Sequence, residues 1–348
     1  MAFGSPIQPH QIDDMVAATL PDLGRFKFTD ISFTLREHIV MSQLMKKNRV
    51  SFDDGHELQF NVKVRNGNQA RQTGLYDSDN VHIDNVLKTA KVPWTFADTH
   101  FAYETREPGF NGGKSKILDI LKIRRSEAMQ SAVELMEEKF WQAPDASSTL
   151  DPFGLRYWLV ANAAEGFNGG APSGFSDVAG LSPTEYPTWR NWTAQYAAVS
   201  KTDLIRKARK ASHFTNFKPP VAYPSYESGS EYQYYVPYSI LSELEDYLQS
   251  ENDNLGMDVG KYDGQVVFKR TPVNHAAMLD SDTTDPWIGI NWGVFGLAFL
   301  RGQYMKTSKP VQGSSHNTRA VWIDWTHQSQ CRHRRRLSII GVSLEVLC

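Results

Sequence analysis

The stretch KSKILDILKIRRSEAMQSAVELMEEKFW, residues 114–141, is the clearest structural signal in the chain and predicts one long helix. Apolar residues recur in it at three- and four-residue spacing, as one face of an α-helix requires. They are Ile117, Leu118, Leu121, Ala128, Ala132, Met136 and Phe140. At 1.5 Å per residue the helix would be about 40 Å long.

The charges of this helix run against its macrodipole, which favours acids at the N-terminus and bases at the C-terminus. Its first half carries Lys114, Lys116, Lys122, Arg124 and Arg125. Its second half carries Glu127, Glu134, Glu137 and Glu138. We therefore expect packing, or charged partners on neighbouring molecules, to hold the helix; the alternative is a solvated face on which the charge split has no role.

Upstream of the helix, Leu58–Arg65 predicts a strand with one apolar and one polar face, because apolar and polar residues alternate. Asn66-Gly67 offers a turn, but the residues that follow are polar and glycine-bearing. The better return strand lies at Val92–Tyr103. The pattern predicts a long two-stranded excursion, which is only marginally stable alone and so should lie on another surface.

The remaining chain mixes helices and strands without regular βαβ alternation, which indicates an α+β fold. Residues 1–30 predict an irregular arm, and 166–175 a glycine-rich loop. Helices are predicted at Leu35–Lys47, Thr202–Phe214 and Ser239–Ser250. Strands are predicted at Tyr157–Asn162, Val266–Lys269, Ile288–Trp292, Gly296–Leu300, Val321–Trp325 and Leu337–Leu347.

Composition excludes several classes of protein. The 348 residues suggest two domains or one elaborated fold. The 37 Lys+Arg nearly balance 39 Asp+Glu, which excludes a wholesale polybasic nucleic-acid binder but not a local basic patch. Two cysteines exclude a disulfide scaffold and a four-cysteine zinc site. The longest apolar run, Trp292–Leu300, is too short for a membrane span, and the N-terminus has no secretory signal pattern.

Motif by motif, the sequence gives no active site, cofactor site or metal site. GFNGGKS, residues 109–115, resembles a P-loop, but the spacing requires glycine where Pro108 stands. His327 and Cys331 would lie some 13 Å apart on a strand, too far for one metal ion. Residues 280–285 lack the glycine and glutamate of a calcium loop. The cluster Arg332–Arg336 could contact phosphate, pair with acidic patches or face solvent.

The order of these elements resembles the major capsid proteins of tailed bacteriophages, which have the Hong Kong 97-type fold. Five stretches carry the resemblance, in the family's order and spacing. They are KKNRVSFDDGHELQFNV (46–62), LYDSDNVHIDNVLKTAKVPW (75–94), LDILKIRRSEAMQSAVELMEEKFW (118–141), GLSPTEYPTWRNW (180–192) and WIDWTHQSQCRHRRRLSIIG (322–341).

The resemblance implies an α+β architecture in five segments. They are an N-terminal arm at 1–55, an extended loop (E-loop) at 56–105, a peripheral domain with a long spine helix at 106–145, an axial domain at 146–290, and the C-terminal strands of the peripheral domain at 291–348. It implies a structural protein, not an enzyme, that assembles into the pentamers and hexamers of an icosahedral head around double-stranded DNA. The implied location is the virion, after assembly in the host cytoplasm.

The resemblance also implies which residues contact partners. Contacts between subunits are expected at Leu58, Phe60, Val62, Val64, Trp94, Arg124, Arg125, Glu137 and Glu138. Contact with packaged DNA on the inner surface is expected at Arg334, Arg335 and Arg336, with Arg124 and Arg125 as further candidates. Portal and decoration proteins, and a scaffold if it is a separate chain, are further partners; no membrane and no covalent crosslink is expected.

Two alternatives stay open at this level. A cellular nanocompartment shell of the same fold would enclose cargo enzymes in place of a genome. An NTPase would use Gly113, Lys114 and Ser115, with Asp324 as the magnesium-binding acid.

Overall fold

A computed structural model describes residues 39–46, 49–65, 70–75, 78, 85–107, 114–217, 231–250, 266–313 and 316–343, with backbone alone at 114–120 and 248–250. The predicted arm at 1–30 and the glycines of the P-loop-like motif lie outside the described residues. The helices are α1 (Ile39–Leu44), α2 (Lys114–Trp141), α3 (Leu155–Trp158), α4 (Leu204–Thr215) and α5 (Tyr238–Ser250).

The strands form two mixed sheets and a separate ribbon. In chain order they are β1 (Val50–Asp53), β2 (Glu57–Lys63), β3 (Leu87–Pro93), β4 (Thr95–Glu104), β5 (Gly166–Gly169), β6 (Asn191–Tyr196), β7 (Tyr232–Val236), β8 (Val267–Phe268), β9 (Thr271–His275), β10 (Trp287–Asn291), β11 (Phe295–Leu300), β12 (Lys306–Thr307), β13 (Val311–Gln312), β14 (Thr318–Cys331) and β15 (Ser338–Val342). Helices and mixed sheets together confirm the predicted α+β class.

A six-stranded sheet is built around the long strand β14, which pairs with β11, β12 and β13 and, through ten residue pairs, with β4. β1 joins it in parallel to β11. The helix α2 covers one face, where Leu121 and Ala128 pack on Phe101, Tyr103 and the apolar residues of β14. The helix begins and ends as the sequence predicts.

A seven-stranded sheet has the order β5-β6-β15-β10-β7-β9-β8. β15 is parallel to β6, and β7 is parallel to β9. One face carries α4 and α5, whose apolar residues Leu204, Ala208 and Leu244 pack with those of the sheet. The segment 291–348 thus supplies strands to both sheets, and the five-segment division of the chain stays a prediction.

The structure corrects two predicted strands. The return strand expected at Val92–Tyr103 is divided at Trp94: β3 pairs with β2, whereas β4 belongs to the six-stranded sheet. The strand expected at Tyr157–Asn162 is instead the short helix α3 followed by an irregular segment. Gly154 precedes α3 and lies so close to α2 that an added Cβ would be 2.4 Å from the Lys139 carbonyl oxygen.

Candidate functional site

The apolar stripe of the β2–β3 ribbon is buried by its own chain. Leu58, Val62 and Val64 belong to the main core, together with Trp94. Phe60 is half-buried, with its ring 6.5 Å from that of Trp158. The fold of the single chain already removes these residues from water, which argues against the expected contact with a neighbouring subunit; that contact stays a prediction.

Hydrogen bonds fix the ribbon to the segment between β5 and β6 and to β14. The Lys91 amide donates to the Ala179 carbonyl oxygen at 2.9 Å, and the Gln328 side chain donates to the Pro93 carbonyl oxygen at 3.0 Å. The Thr188 hydroxyl donates to the Val64 carbonyl oxygen. The base of the excursion is thus held in place before any partner binds.

The charges of α2 divide between internal and exposed positions. Arg124 donates to both carboxylate oxygens of Glu107 at 2.8 Å, and to the Ala102 carbonyl oxygen. Glu137 is buried and accepts hydrogen bonds from the Met41 amide and the Trp141 indole. Arg125 is half-buried and Glu138 is exposed. Arg124 and Glu137 thus have contacts within the chain, and their expected contacts with a neighbouring subunit stay a prediction.

Arg334, expected on a DNA-facing surface, is fully buried. Its guanidinium donates to the carbonyl oxygens of Trp158 at 2.8 Å, Trp189 at 2.8 Å and Gly170 at 2.9 Å. It also donates to the Asn191 side-chain oxygen at 3.2 Å. Burial lowers the pKa of Arg334 to about 10, so the group stays charged at neutral pH. The side chain cannot reach a phosphate from this position.

The two neighbouring arginines are also engaged within the chain. Arg336 is buried, donates to the Phe217 carbonyl oxygen at 3.2 Å and lies 4.9 Å from the Phe217 ring centre. Arg335 is half-buried and stacks 4.1 Å above the Phe167 ring. The burial of Arg334 and Arg336 in the single chain argues against the DNA contact expected of them, which stays a prediction.

The glycine-rich segment supplies part of the Arg334 site. An added Cβ at Gly169 would lie 1.9 Å from the Asn191 side-chain oxygen, so only glycine permits this approach. Gly170 then presents its carbonyl oxygen to the guanidinium. In the sequence, the features of this site that can be seen are the Gly169-Gly170 pair and Asn191. The local pattern does not reveal that Gly170 and Asn191 accept hydrogen bonds from Arg334.

Of the His and Cys residues near the end of β14, His327 and Cys331 are buried and His333 is half-buried. Burial lowers the pKa of His327 to about 4 and raises that of Cys331 to about 12. For His333, burial and the nearby charges of Arg336 and Arg335 lower the pKa to about 4. Within the part of the chain that the structure describes, no three His, Cys, Asp or Glu side chains are grouped to hold a metal.

Opposite α2, the part of the six-stranded sheet formed by β4 and the first half of β14 is exposed among the described residues, and we call this part the outer sheet face. It is formed by alternate residues of β4 and β14. Phe96 is 76% exposed, and His100 packs on Trp322 with ring centres 4.6 Å apart. Between them Asp98 and Asp324 stand opposite each other in register. The sequence pattern predicts that Phe96 lies in the return strand, but it does not show that the side chain is on an exposed face.

No helix of the described residues is both long enough and apolar enough to cross a membrane. No protein-family model and no curated protein sequence matches the chain.

Solved structures do match, over nearly the whole length of both chains. The capsid asymmetric unit of cyanophage A-1(L) is 14% identical, with a TM-score of 0.61 over 93% of this chain and 98% of that chain. The capsid of a native GTA particle is 10% identical, with a TM-score of 0.56 over 94% and 98%. A chain of Mycobacterium phage Bobi is 7% identical, with a TM-score of 0.51 over 97% and 99%. The ribbon, the long helix and the two sheets thus form the Hong Kong 97-type fold of phage capsid proteins.

Proposed function

We propose that the chain is the shell subunit of a tailed-phage head, a major capsid protein. Copies of it would assemble into pentamers and hexamers that close into an icosahedral shell around double-stranded DNA. The observation that carries the proposal is the match to capsid chains across more than nine-tenths of both partners. Such a match leaves little of the chain for a further catalytic domain.

A non-enzymatic role is part of this proposal. A P-loop would need a parallel sheet strand before its helix. The strand that precedes α2 is β4, and it runs antiparallel to β14. This topology argues against the NTPase alternative at Lys114 and Ser115, whose side chains lie outside the described residues.

The outer sheet face is the proposed contact surface between copies of the chain. Phe96 and Trp322 are exposed large apolar side chains on this face. Covering such side chains with another copy of the chain would be favourable, because it removes apolar surface from water. β4 is also an edge strand, because β14 is its partner in the described sheet. Edges of this kind are covered in natural assemblies to avoid uncontrolled pairing. A repeated contact between two different surfaces closes into rings.

The proposal extends to partners and location. Portal and decoration proteins, and a separate scaffold, would join the shell during assembly in the host cytoplasm, and the finished protein would reside in the virion. Within the chain, 1–55 would form the N-terminal arm, 56–105 the E-loop, 106–145 and 291–348 the peripheral domain, and 146–290 the axial domain. Arg125 and Glu138 remain candidate charges for contact with a neighbouring subunit.

Negative-stain microscopy and sedimentation of the purified chain test the proposal. We expect closed shells, or rings of five and six subunits. A chain that stays monomeric both alone and with its co-expressed neighbouring genes would contradict it. The contents of shells purified from the native source separate a phage head, which holds DNA, from a nanocompartment, which holds protein.

A further inference from the structure

The helix α4 presents unpaired guanidinium groups to solvent. Arg206 and Arg209 are exposed and one turn apart on the same face. Among the described residues, neither side chain has a hydrogen bond or ion pair partner. Their basic neighbours are already neutralised, since Lys207 pairs with Asp203 and Lys210 pairs with Glu165. Two free positive charges thus remain on one helix face.

A second element brings two more cations to the same place. β8 and β9 are joined by the two-residue turn Lys269-Arg270, because Phe268 pairs directly with Thr271. Both side chains are exposed, and the Lys269 ammonium lies 3.5 Å from the Arg209 carbonyl oxygen. The turn is therefore next to the exposed face of α4. We call Arg206, Arg209, Lys269 and Arg270 the basic surface.

The backbone of this turn is unusual for the residues it carries. Lys269 has φ 46° and Arg270 has φ 67°, both in the left-handed region. Hairpin turns with two positive φ values strongly prefer Asn-Gly, since a Cβ is disfavoured there. The Lys269-Arg270 pair supplies two positive charges, although both residues are disfavoured at positive φ. Residues held in such conformations often serve a function.

We propose that the basic surface binds the phosphate backbone of double-stranded DNA without reading its sequence. This inference rests on the proposed function, and it makes this side of the seven-stranded sheet the inner surface of the shell. Arginine and lysine donors recognise phosphate oxygens, and a local concentration of unpaired cations attracts a polyanion even though the whole chain has a net charge of −2. The basic surface takes the role that the sequence suggested for Arg334–Arg336.

The turn permits a test in which a loss of binding is not a loss of folding. Lys269→Asn combined with Arg270→Gly introduces the residue pair that this turn prefers. We expect its melting temperature to be equal to or above that of the wild type. Arg206→Gln combined with Arg209→Gln removes the other two charges and keeps good helix formers. Lys306→Gln combined with Lys309→Gln is the control. It removes the same two charges at exposed positions, one in β12 of the six-stranded sheet and one between β12 and β13.

The readout is the binding of fluorescently labelled duplex DNA of mixed sequence to the unassembled full-length chain, across a series of salt concentrations. Each double variant of the basic surface should weaken binding at least tenfold. It should also reduce the slope of log K against log salt by about 0.9 per lost phosphate contact. The control should bind as the wild type does.

Unchanged binding in both basic-surface variants, or no binding by the wild type, overturns the inference. Variants that bind DNA normally but form no shells also overturn it, because the basic surface would then contact an acidic surface of another copy. Shell formation is followed separately by microscopy. A wild type that forms no shells either alone or with its co-expressed neighbouring genes therefore refutes the proposed function, whereas normal shells with unchanged DNA binding refute this inference alone.

Discussion

Among the residues that the structure describes, no carboxylate pairs with the buried charge of Arg334. Its four acceptors come from three separate segments of the chain, around residues 158, 170 and 189–191. A planar guanidinium can serve all of them, whereas a lysine ammonium is a point charge with three donors. We expect Arg334→Lys to reduce the free energy of unfolding by about 3 kcal/mol, since buried acceptors would lose their donors. Urea denaturation measures the effect.

Arg335→Lys is the matched control for that experiment. Arg335 is half-buried and its identified contact is stacking on Phe167, which is worth about 1 kcal/mol or less at a partly exposed site. Equal losses in the two variants would contradict the role assigned to Arg334. The sequence shows only a run of adjacent arginines, and the carbonyl oxygens that bury one of them come from more than a hundred residues away, so no local pattern could reveal it.

His327 makes stability depend on pH. It lies in β14 near the rings of Phe299 and Trp325, and burial lowers its pKa from 6.5 to about 4. As pH falls below 6.5 the unfolded chain takes up the proton first, so stability is lost between pH 6.5 and about pH 4. The loss is at most about 1.4 kcal/mol per pH unit. His327→Leu should flatten the pH dependence of unfolding measured in urea.

A residual slope in that variant is expected from His333, whose pKa is also lowered to about 4. His56→Gln serves as the control substitution at an exposed histidine. A wild-type stability that stays constant from pH 7 to pH 4.5 would contradict this account of His327.

At the scale of elements, Glu137 connects α1 to α2. Its carboxylate accepts the Met41 amide of α1 at 2.8 Å and the Trp141 indole at 2.9 Å. Glu137→Ala leaves both buried donors without this acceptor, so we expect a loss of about 2 kcal/mol and faster proteolysis around residues 39–46. Mass spectrometry of limited digests measures the cleavage. Glu138→Ala, an exposed neighbour, should be cleaved at the wild-type rate.

Elements differ in how well local sequence predicts them. α2 was predicted to its first and last residue because its apolar period is sustained over many turns. β14 was predicted only at Val321–Trp325, although it extends from Thr318 to Cys331. Its later residues include Gln328 and Gln330, which are buried where β11 pairs with β14 on one edge. Their side chains donate to the Pro93 carbonyl oxygen and the Ser51 hydroxyl. Burial on both faces removes the alternation that identifies a strand.

For the whole molecule, the monomer leaves apolar surface that assembly would cover. Many identical contacts make a shell cooperative, so a small change in each contact is multiplied across the particle. The fold class could be predicted from element order, whereas the contact surface could not. The outer sheet face depends on the register of β4 with β14, which brings residues near 96–100 beside residues near 322–326.

Phe96→Ser tests the outer sheet face as an assembly surface. The side chain is 76% exposed in the single chain, so the substitution should leave the free energy of unfolding within about 0.5 kcal/mol of the wild type. If a second copy covers Phe96, each contact loses about 2 kcal/mol of apolar burial, and sedimentation should show free subunits in place of shells. Leu150→Ser is the matched control, because Leu150 is 78% exposed and belongs to an irregular segment outside β4 and β14. Shells of normal yield from Phe96→Ser would exclude this face from the contact, whereas a loss with both variants would indicate a general effect of surface polarity on assembly.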